Sequence, residues 1–206
     1  MRTLARFAVL AVLFAPTLAS AQLSLGARLG YGLAMGEAVE NGDLSDGIKA
    51  QIPLQLDVGY RLTPAFTLGG YFSAGIGLAG DEFQEICDQD GVDCSLRVYR
   101  LGLQAEYAFK GASMSPWIGA GIGYEWAKIK AEAGSEELEM TFKGFEFLNL
   151  QGGVDWKVGS KFLVGPFAML SIGQYSKGSQ DGEDMDIEDK GVHEWLQFGV
   201  RGRFDL

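Results

Sequence analysis

Apolar and polar residues alternate along the segment 49–79. Before a turn at Thr63 and Pro64, every second residue from Ala50 to Leu62 is apolar, and the alternation resumes at Phe66. A period of two is typical of β-strands. Each predicted strand is longer than the ~5–6 residues common in soluble proteins and reaches the ~9–11 residues that cross a bilayer at a tilt. The segment is therefore predicted to form one hairpin of a transmembrane barrel.

The same pattern recurs in six further segments of the chain. They are residues 23–36, 96–109, 116–130, 140–158, 161–175 and 191–206. The connections between successive strands alternate between long and short, as in outer-membrane barrels with short periplasmic turns and longer outer loops. We therefore expect an all-β fold, an eight-stranded antiparallel up-and-down transmembrane β-barrel with both termini in the periplasm.

Two local irregularities are expected within these strands. The halves of segment 140–158 alternate with opposite parity, and a β-bulge near Phe147 and Leu148 accounts for the switch. Pro53 and Pro166 lie inside predicted strands, where each removes one hydrogen bond of the ladder. Local bulges are expected at both prolines.

The N-terminus has the features of a secretion signal. Arg2 and Arg6 precede an apolar run over residues 7–18, and residues 19–21 form a small-x-small cleavage site. A signal peptide is predicted at residues 1–21 and a barrel domain at residues 22–206. The full chain has a formal net charge of −10, and removing the signal makes it more negative. This charge excludes nucleic acid as a partner class.

Alternation alone does not decide which face of the barrel points inward. A soluble, lipocalin-like barrel with its apolar residues inside is one alternative. The non-apolar face here is mostly glycine, serine and glutamine with a few charges, which suits the narrow interior of an eight-stranded barrel. We therefore expect the apolar face to contact lipid.

Aromatic residues are expected to form two belts at the membrane interfaces. The predicted inner belt contains Tyr60, Phe66, Tyr107, Phe109, Trp117, Trp156, Phe162 and Phe204. The predicted outer belt contains Tyr99, Tyr124, Trp126, Tyr175 and Trp195.

Together these features resemble the small eight-stranded outer-membrane barrels of Gram-negative bacteria, the OmpA/OmpX/OmpW type. The last strand resembles the family's assembly signal of alternating aromatics, with Phe204 in the penultimate place and Leu206 replacing the final aromatic. The resemblance implies location in the outer membrane and recognition by the barrel-assembly machinery. It also implies contacts with outer-membrane lipid and lipopolysaccharide, and we expect a monomer.

Charged residues on the inward face form the first candidate site. A lower ion-pair plug is predicted from Arg28, Asp57, Glu106, Asp155, Arg201 and Arg203. Higher in the barrel, Arg100 is predicted to face Glu125. Pairing is expected because an unpaired buried charge is strongly destabilising. Filling and rigidifying the barrel is the favoured role, and conduction or gating is the alternative.

The four long loops hold 20 of the 27 acidic residues. A solvated, repulsive surface is the first interpretation. Binding of Ca²⁺ or Mg²⁺ is the second, because hard cations take clustered oxygen ligands. The candidate ligands are Asp88, Asp90, Asp93, Asp181, Glu183, Asp184 and Asp186. Their spacing does not match an EF-hand, and no other cofactor is expected.

Cys87 and Cys94 are predicted to form a disulfide, because the chain is exported to an oxidising compartment. The bridge closes a short loop and is expected to stabilise it by ~2–3 kcal/mol. A metal site that uses both thiols is the alternative.

The single histidine, His193, bears on whether the protein is an enzyme. Catalysis would require an activated nucleophile beside a base. Lipid A deacylases of this architecture place a serine two residues after the histidine, where this chain has Trp195. We therefore expect that the protein is not an enzyme and has no catalytic residues.

Three functions are considered for the chain. The first hypothesis is a structural or surface-interaction protein that uses its acidic loops. The second is a narrow channel for small or apolar solutes, and the third is a lipid-modifying enzyme.

Overall fold

The described part of the chain contains ten strands and two short helices. The structure, a computed structural model, describes residues 22–39, 42–109, 111, 113–134, 136–187 and 189–206, and the predicted signal peptide lies outside these residues. In chain order the elements are β1 (Gln22–Val39), β2 (Gly42–Asp43), α1 (Leu44–Gly47), β3 (Ile48–Arg61), β4 (Phe66–Ala79), α2 (Asp81–Cys87), β5 (Val92–Ala108), β6 (Met114–Ala133), β7 (Glu136–Lys157), β8 (Phe162–Gln180), β9 (Glu183–Asp186) and β10 (His193–Asp205). No helix in the described residues is long and apolar enough to cross a membrane.

Eight of the strands form a closed antiparallel ring. The order is β10-β1-β3-β4-β5-β6-β7-β8, and β8 pairs with β10 to complete the circle. The short strands β2 and β9 pair with β1 and β8 outside the ring. Closure removes the sheet edges that an open sheet exposes. The predicted all-β, eight-stranded up-and-down barrel is confirmed.

The two ends of the barrel differ in their connections. The turns after β3, β5 and β7 lie at one end, the turn end, where the backbone N–H of Leu206 also bonds to the carbonyl of Leu23 at 2.9 Å. The other end, the loop end, holds α1, α2, β2 and β9. The two helices pack against the barrel mouth through Leu44 and Phe83 and form its cap.

The apolar face of every ring strand points outward. Leu29, Leu54 and Leu103 are more than half exposed, whereas Arg28 and Gln51 are buried inside. Bulky apolar side chains on the outer surface favour contact with hydrocarbon, and polar side chains fill the interior. The lipocalin-like alternative is therefore wrong.

The bulge predicted in β7 is confirmed. The register of β7 against β8 shifts between Glu146 and Leu148. Phe145 and Phe147 consequently face outward on one side of the shift, while Asn149 faces inward on the other. The inserted residue reverses the parity of the strand.

The bulges expected at the two prolines are wrong. The β1–β3 ladder skips two positions at Pro53, and the β7–β8 ladder skips two at Pro166, yet the register is the same on either side of each gap. Each proline opens a short stretch of one ladder without displacing the strand.

Two of the predicted loops are largely strand. β6 continues to Ala133 and β7 begins at Glu136, so the predicted loop 131–139 is a hairpin around Gly134, whose φ is +62°. Lys130 pairs with Glu132 on its own strand and with Glu137 across the hairpin. Such cross-strand ion pairs stabilise strands in an acidic segment. β8 likewise extends to Gln180 and pairs with β9.

Three aromatic residues assigned to the membrane belts face inward instead. Trp117, Tyr175 and Trp195 are all buried within the barrel. Each has the sequence parity of the inward face, which decides the direction of a strand side chain whatever its size. Other predicted belt residues, such as Tyr107 and Phe162, do face outward.

Candidate functional site

The lower half of the lumen holds a connected set of ion pairs. This lower network consists of Arg28, Asp57, Glu106, Asp155, Arg201 and Arg203. Arg28 lies 2.7 Å from Asp57 and 2.8 Å from Glu106. Arg201 lies 2.9 Å from Glu106 and 2.7 Å from Asp155. The structure thus brings together all six residues that the sequence places there.

Charge in the lower network is balanced, with three arginines and three carboxylates. Arg203 lies farther from the carboxylates of the network, at 3.8 Å from Glu106 and 3.9 Å from Asp155, and its nearest carboxylate is that of Asp205, outside the network, at 3.3 Å. The inward-facing Trp117 packs between two of the arginines, with the guanidinium carbon of Arg201 3.3 Å and that of Arg28 5.5 Å from its ring centroid. Such cation–π contacts stabilise desolvated arginines. At the height of the lower network, the lumen is therefore filled by ion pairs and by an aromatic ring.

Amide side chains extend the lower network up the lumen. Arg28 donates to the amide oxygen of Gln151. The Gln151 amide in turn donates to Gln104 at 2.9 Å and to Asn149 at 3.4 Å. Asn149 donates to the hydroxyl of Tyr71 at 3.2 Å. These neutral residues connect the lower ion pairs to a second charged layer.

The second layer, the upper network, has two buried carboxylates and one arginine. Arg100 lies 3.0 Å from Glu125 and 3.9 Å from Glu146. The Arg100–Glu125 partnership is the one the sequence predicts. Because one arginine serves two carboxylates, the remaining bonds come from hydroxyl, indole and imidazole donors. The three charged residues and these donors, Tyr71, Ser171, Tyr175, His193 and Trp195, make up the upper network.

Neutral donors surround each carboxylate of the upper network. Glu146 accepts hydrogen bonds from the hydroxyls of Tyr71 and Ser171, the latter at 2.5 Å. Glu125 accepts from the Tyr175 hydroxyl at 2.5 Å and from the Trp195 indole at 3.2 Å. Both carboxylates are almost fully buried.

Glu146 is the main charged residue that sequence reasoning missed. The bulge at Phe147 was predicted from Phe145 and Phe147 facing outward, and the same parity places Glu146 inward. Applying the predicted bulge to polar as well as apolar residues would have found it.

His193 is enclosed within the upper network. Its Nε2 lies 3.2 Å from Glu125, and its ring stacks on Tyr175 with 4.2 Å between centroids. The side chain is buried and faces the lumen, as its parity predicts. This packing separates the imidazole from both solvent and lipid.

The disulfide predicted between Cys87 and Cys94 is present, with 5.6 Å between the Cα atoms. It joins the end of α2 to the start of β5. Both sulfurs are used in the bridge, so the alternative of a metal site with two thiols is wrong.

The acidic candidates for a cation site are not gathered into one place. Asp88 follows α2, Asp90 lies in the next turn and Asp93 lies on β5. Asp181, Glu183, Asp184 and Asp186 lie on the β8–β9 hairpin, where the Asp181 carboxylate accepts from the backbone N–H of Glu139 at 3.0 Å. Within the described residues, no group of three or more His, Cys, Asp or Glu side chains is arranged to hold a metal ion.

A closed antiparallel barrel with an apolar outer face and a lumen of paired charges is the architecture of an integral outer-membrane β-barrel. The chain belongs to the family described as the outer membrane protein beta-barrel domain, whose model matches residues 5–204. The protein is located in the outer membrane of a Gram-negative bacterium.

Solved structures share this fold at low sequence identity. The chain is similar to surface protein A of Neisseria, with 15% identity and a TM-score of 0.56 over 88% of this chain and 97% of that one. It is also similar to a major outer membrane protein of Thermus thermophilus, with 14% identity and a TM-score of 0.52 over 90% of this chain and 100% of that one. No curated protein sequence matches the chain. At these identities the likeness shows the fold alone.

Proposed function

We propose that this protein is a closed barrel that acts through its loop end and does not pass solutes across the membrane. The observation that carries the proposal is the continuity of the side chains inside the lumen. Hydrogen bonds and ion pairs run from Asp155 through Arg201, Glu106 and Arg28 to Gln151. From there they continue through Asn149 and Tyr71 to the carboxylate of Glu146.

A lumen filled in this way supports a structural or surface-interaction role. Eight strands leave an interior just wide enough for side chains to fill, and here both charged layers are buried. Opening a water path would require breaking several buried ion pairs at once, each of which is costly to disrupt. The acidic segments at the loop end then supply the contact surface.

Conductance in planar lipid bilayers tests the proposal. We expect the wild-type protein to give no stable single-channel current. The double variant Arg201→Ala/Asp155→Ala is the matched reference, because it removes both partners of one buried pair without leaving either unpaired. We expect that variant to conduct more than the wild type. Stable wild-type channels would support the alternative of a narrow channel and contradict a closed lumen.

The enclosure of His193 supports a non-catalytic protein. Its Nε2 faces Glu125 and its ring is covered by Tyr175, so a lipid substrate has no access to it. We expect His193→Ala to leave the lipid A composition of the producing cells unchanged. An altered lipid A profile, measured by mass spectrometry, would favour the lipid-modifying enzyme.

A further inference from the structure

A cavity of about 260 Å³ lies at the loop end, between the barrel mouth and the cap. Its walls are apolar side chains from the inward faces of β3, β6 and β7 and from the two cap helices. They include Leu44, Ile48, Phe83, Ala127, Ile129 and Phe142. This volume is close to the lower end of the ~300–1,000 Å³ typical of ligand pockets. The cavity therefore has room for a small ligand.

The floor of the cavity is closed by the upper network. Tyr175 lines the cavity, and its hydroxyl already donates to Glu125 below. The indole of Trp195 bonds to the same carboxylate. A ligand that enters from the loop end thus meets an apolar chamber whose deepest polar group is already satisfied. The chamber favours an apolar ligand body.

The rim of the cavity is negatively charged. Asp43 lies just before α1 and Asp46 within it, both at the edge of the cavity, and no ion pair to another described residue is formed by either. An anionic head group, such as that of a fatty acid, would be repelled at this rim. A cationic head group would be attracted.

The cap is held in place by bonds independent of any ligand. The backbone N–H of Gly80 donates to the carbonyl of Gly47 at 2.9 Å, which joins the end of α1 to the start of α2. Lys49 donates to Gln84 at 3.0 Å, and the Cys87–Cys94 disulfide ties α2 to β5. A preformed cavity binds a ligand without the entropic cost of ordering its walls.

We infer that this chamber is a binding site for a small amphiphilic cation, with an apolar body beneath the cap and a positively charged head between Asp43 and Asp46. The site binds its ligand without passing it onward, because the upper network closes the floor. This activity is additional to the proposed role of the acidic surface.

The test is an NMR titration of the disulfide-bonded protein in lipid nanodiscs. The probes are octyltrimethylammonium and octanoate, which share a chain length and differ in the sign of the head-group charge. We expect saturable shifts at the amides of Ala127, Ile129 and Phe142 with the cation, and about tenfold weaker binding of the anion. The double variant Asp43→Asn/Asp46→Asn should reduce this preference.

Two cavity-filling variants separate binding in the chamber from partition into lipid. Ala127→Phe fills the chamber, and Ala120→Phe on the same strand places the same ring on the outer surface. Gly47→Leu is an independent filling variant, since a Cβ there would lie 3.9 Å from the Ile129 side chain, an ordinary contact.

We expect the saturable shifts to disappear in Ala127→Phe and Gly47→Leu and to remain in Ala120→Phe. Shifts that do not saturate, or that survive both filling variants, would overturn the proposal. Octanoate binding as tight as that of the cation would overturn it as well.

Discussion

The lower and upper networks bury carboxylates in the same lumen by different means. In the lower network each of three carboxylates has an arginine within 2.9 Å. In the upper network Glu125 and Glu146 share Arg100, and hydroxyl and indole donors complete their hydrogen bonds. A buried carboxylate therefore does not need a cation of its own if enough donors face it. The upper network, however, depends on a single arginine.

The largest effect is expected from Arg100→Ala. This change removes the only arginine beside Glu125 and Glu146 among the described residues, leaving two buried carboxylates without an arginine. We expect the free energy of unfolding to fall by about 3–5 kcal/mol. Urea unfolding of the barrel refolded into lipid vesicles measures the loss. Lys177→Ala, at an exposed loop-end position, is the control and should change stability by less than about 0.5 kcal/mol.

Arg201→Ala should lower the free energy of unfolding by less than Arg100→Ala does. Arg28 remains 2.8 Å from Glu106, and Arg203 remains 3.9 Å from Asp155, so cations remain near both carboxylates. We expect a loss of about 3 kcal/mol in the same vesicle assay. A loss larger than that of Arg100→Ala would reverse the comparison between the two networks.

Neutralising a carboxylate should cost more stability in the lower network than in the upper network, which is the reverse of removing an arginine. Asp155→Asn leaves the lower network with three arginines and two carboxylates, and we expect it to cost about 2–3 kcal/mol. Glu146→Gln leaves Arg100 and Glu125 as a one-to-one pair. The Tyr71 and Ser171 hydroxyls donate to different oxygens of Glu146, so the Gln amide oxygen can accept from Tyr71 while its NH2 group donates to the Ser171 hydroxyl. We expect that change to cost less than about 1 kcal/mol. Equal losses for the two variants would show that charge balance does not distinguish the layers.

A smaller effect is expected from removing one neutral donor. Tyr71→Phe deletes the hydroxyl that donates to Glu146 and accepts from Asn149. We expect a loss of about 1–2 kcal/mol, since a buried partner is left unsatisfied. Tyr107→Phe, which loses a hydroxyl on the outer surface, is the matched control. If both variants were equally stable, the neutral donors would contribute nothing to holding Glu146.

The barrel and its lower network could be predicted because both follow from strand alternation. Parity decides which side chains face the lumen, and distance from a turn decides their height. Arg28 and Asp57 could therefore be paired from their positions alone. The amides of Gln104, Gln151 and Asn149 could not, because a neutral side chain has several available partners and the stagger of the strands decides among them.

The loop end was less predictable because its elements are not periodic. α1 has four residues and α2 has seven, too short for a helical pattern to be recognised. Their positions depend on packing against the barrel mouth, through Leu44 and Phe83. The cavity beneath them depends on that packing and has no signature in the sequence.

The central claim is that paired charges meet inside a closed lumen, and a double-mutant cycle on Arg201 and Asp155 tests it most directly. The two side chains lie 46 residues apart in sequence and 2.7 Å apart in the barrel. Unfolding of the wild type, Arg201→Ala, Asp155→Ala and the double variant in lipid vesicles gives their coupling free energy. The structure predicts a stabilising coupling of about 1.5–3 kcal/mol. Additive losses, with a coupling below about 0.5 kcal/mol, would contradict it.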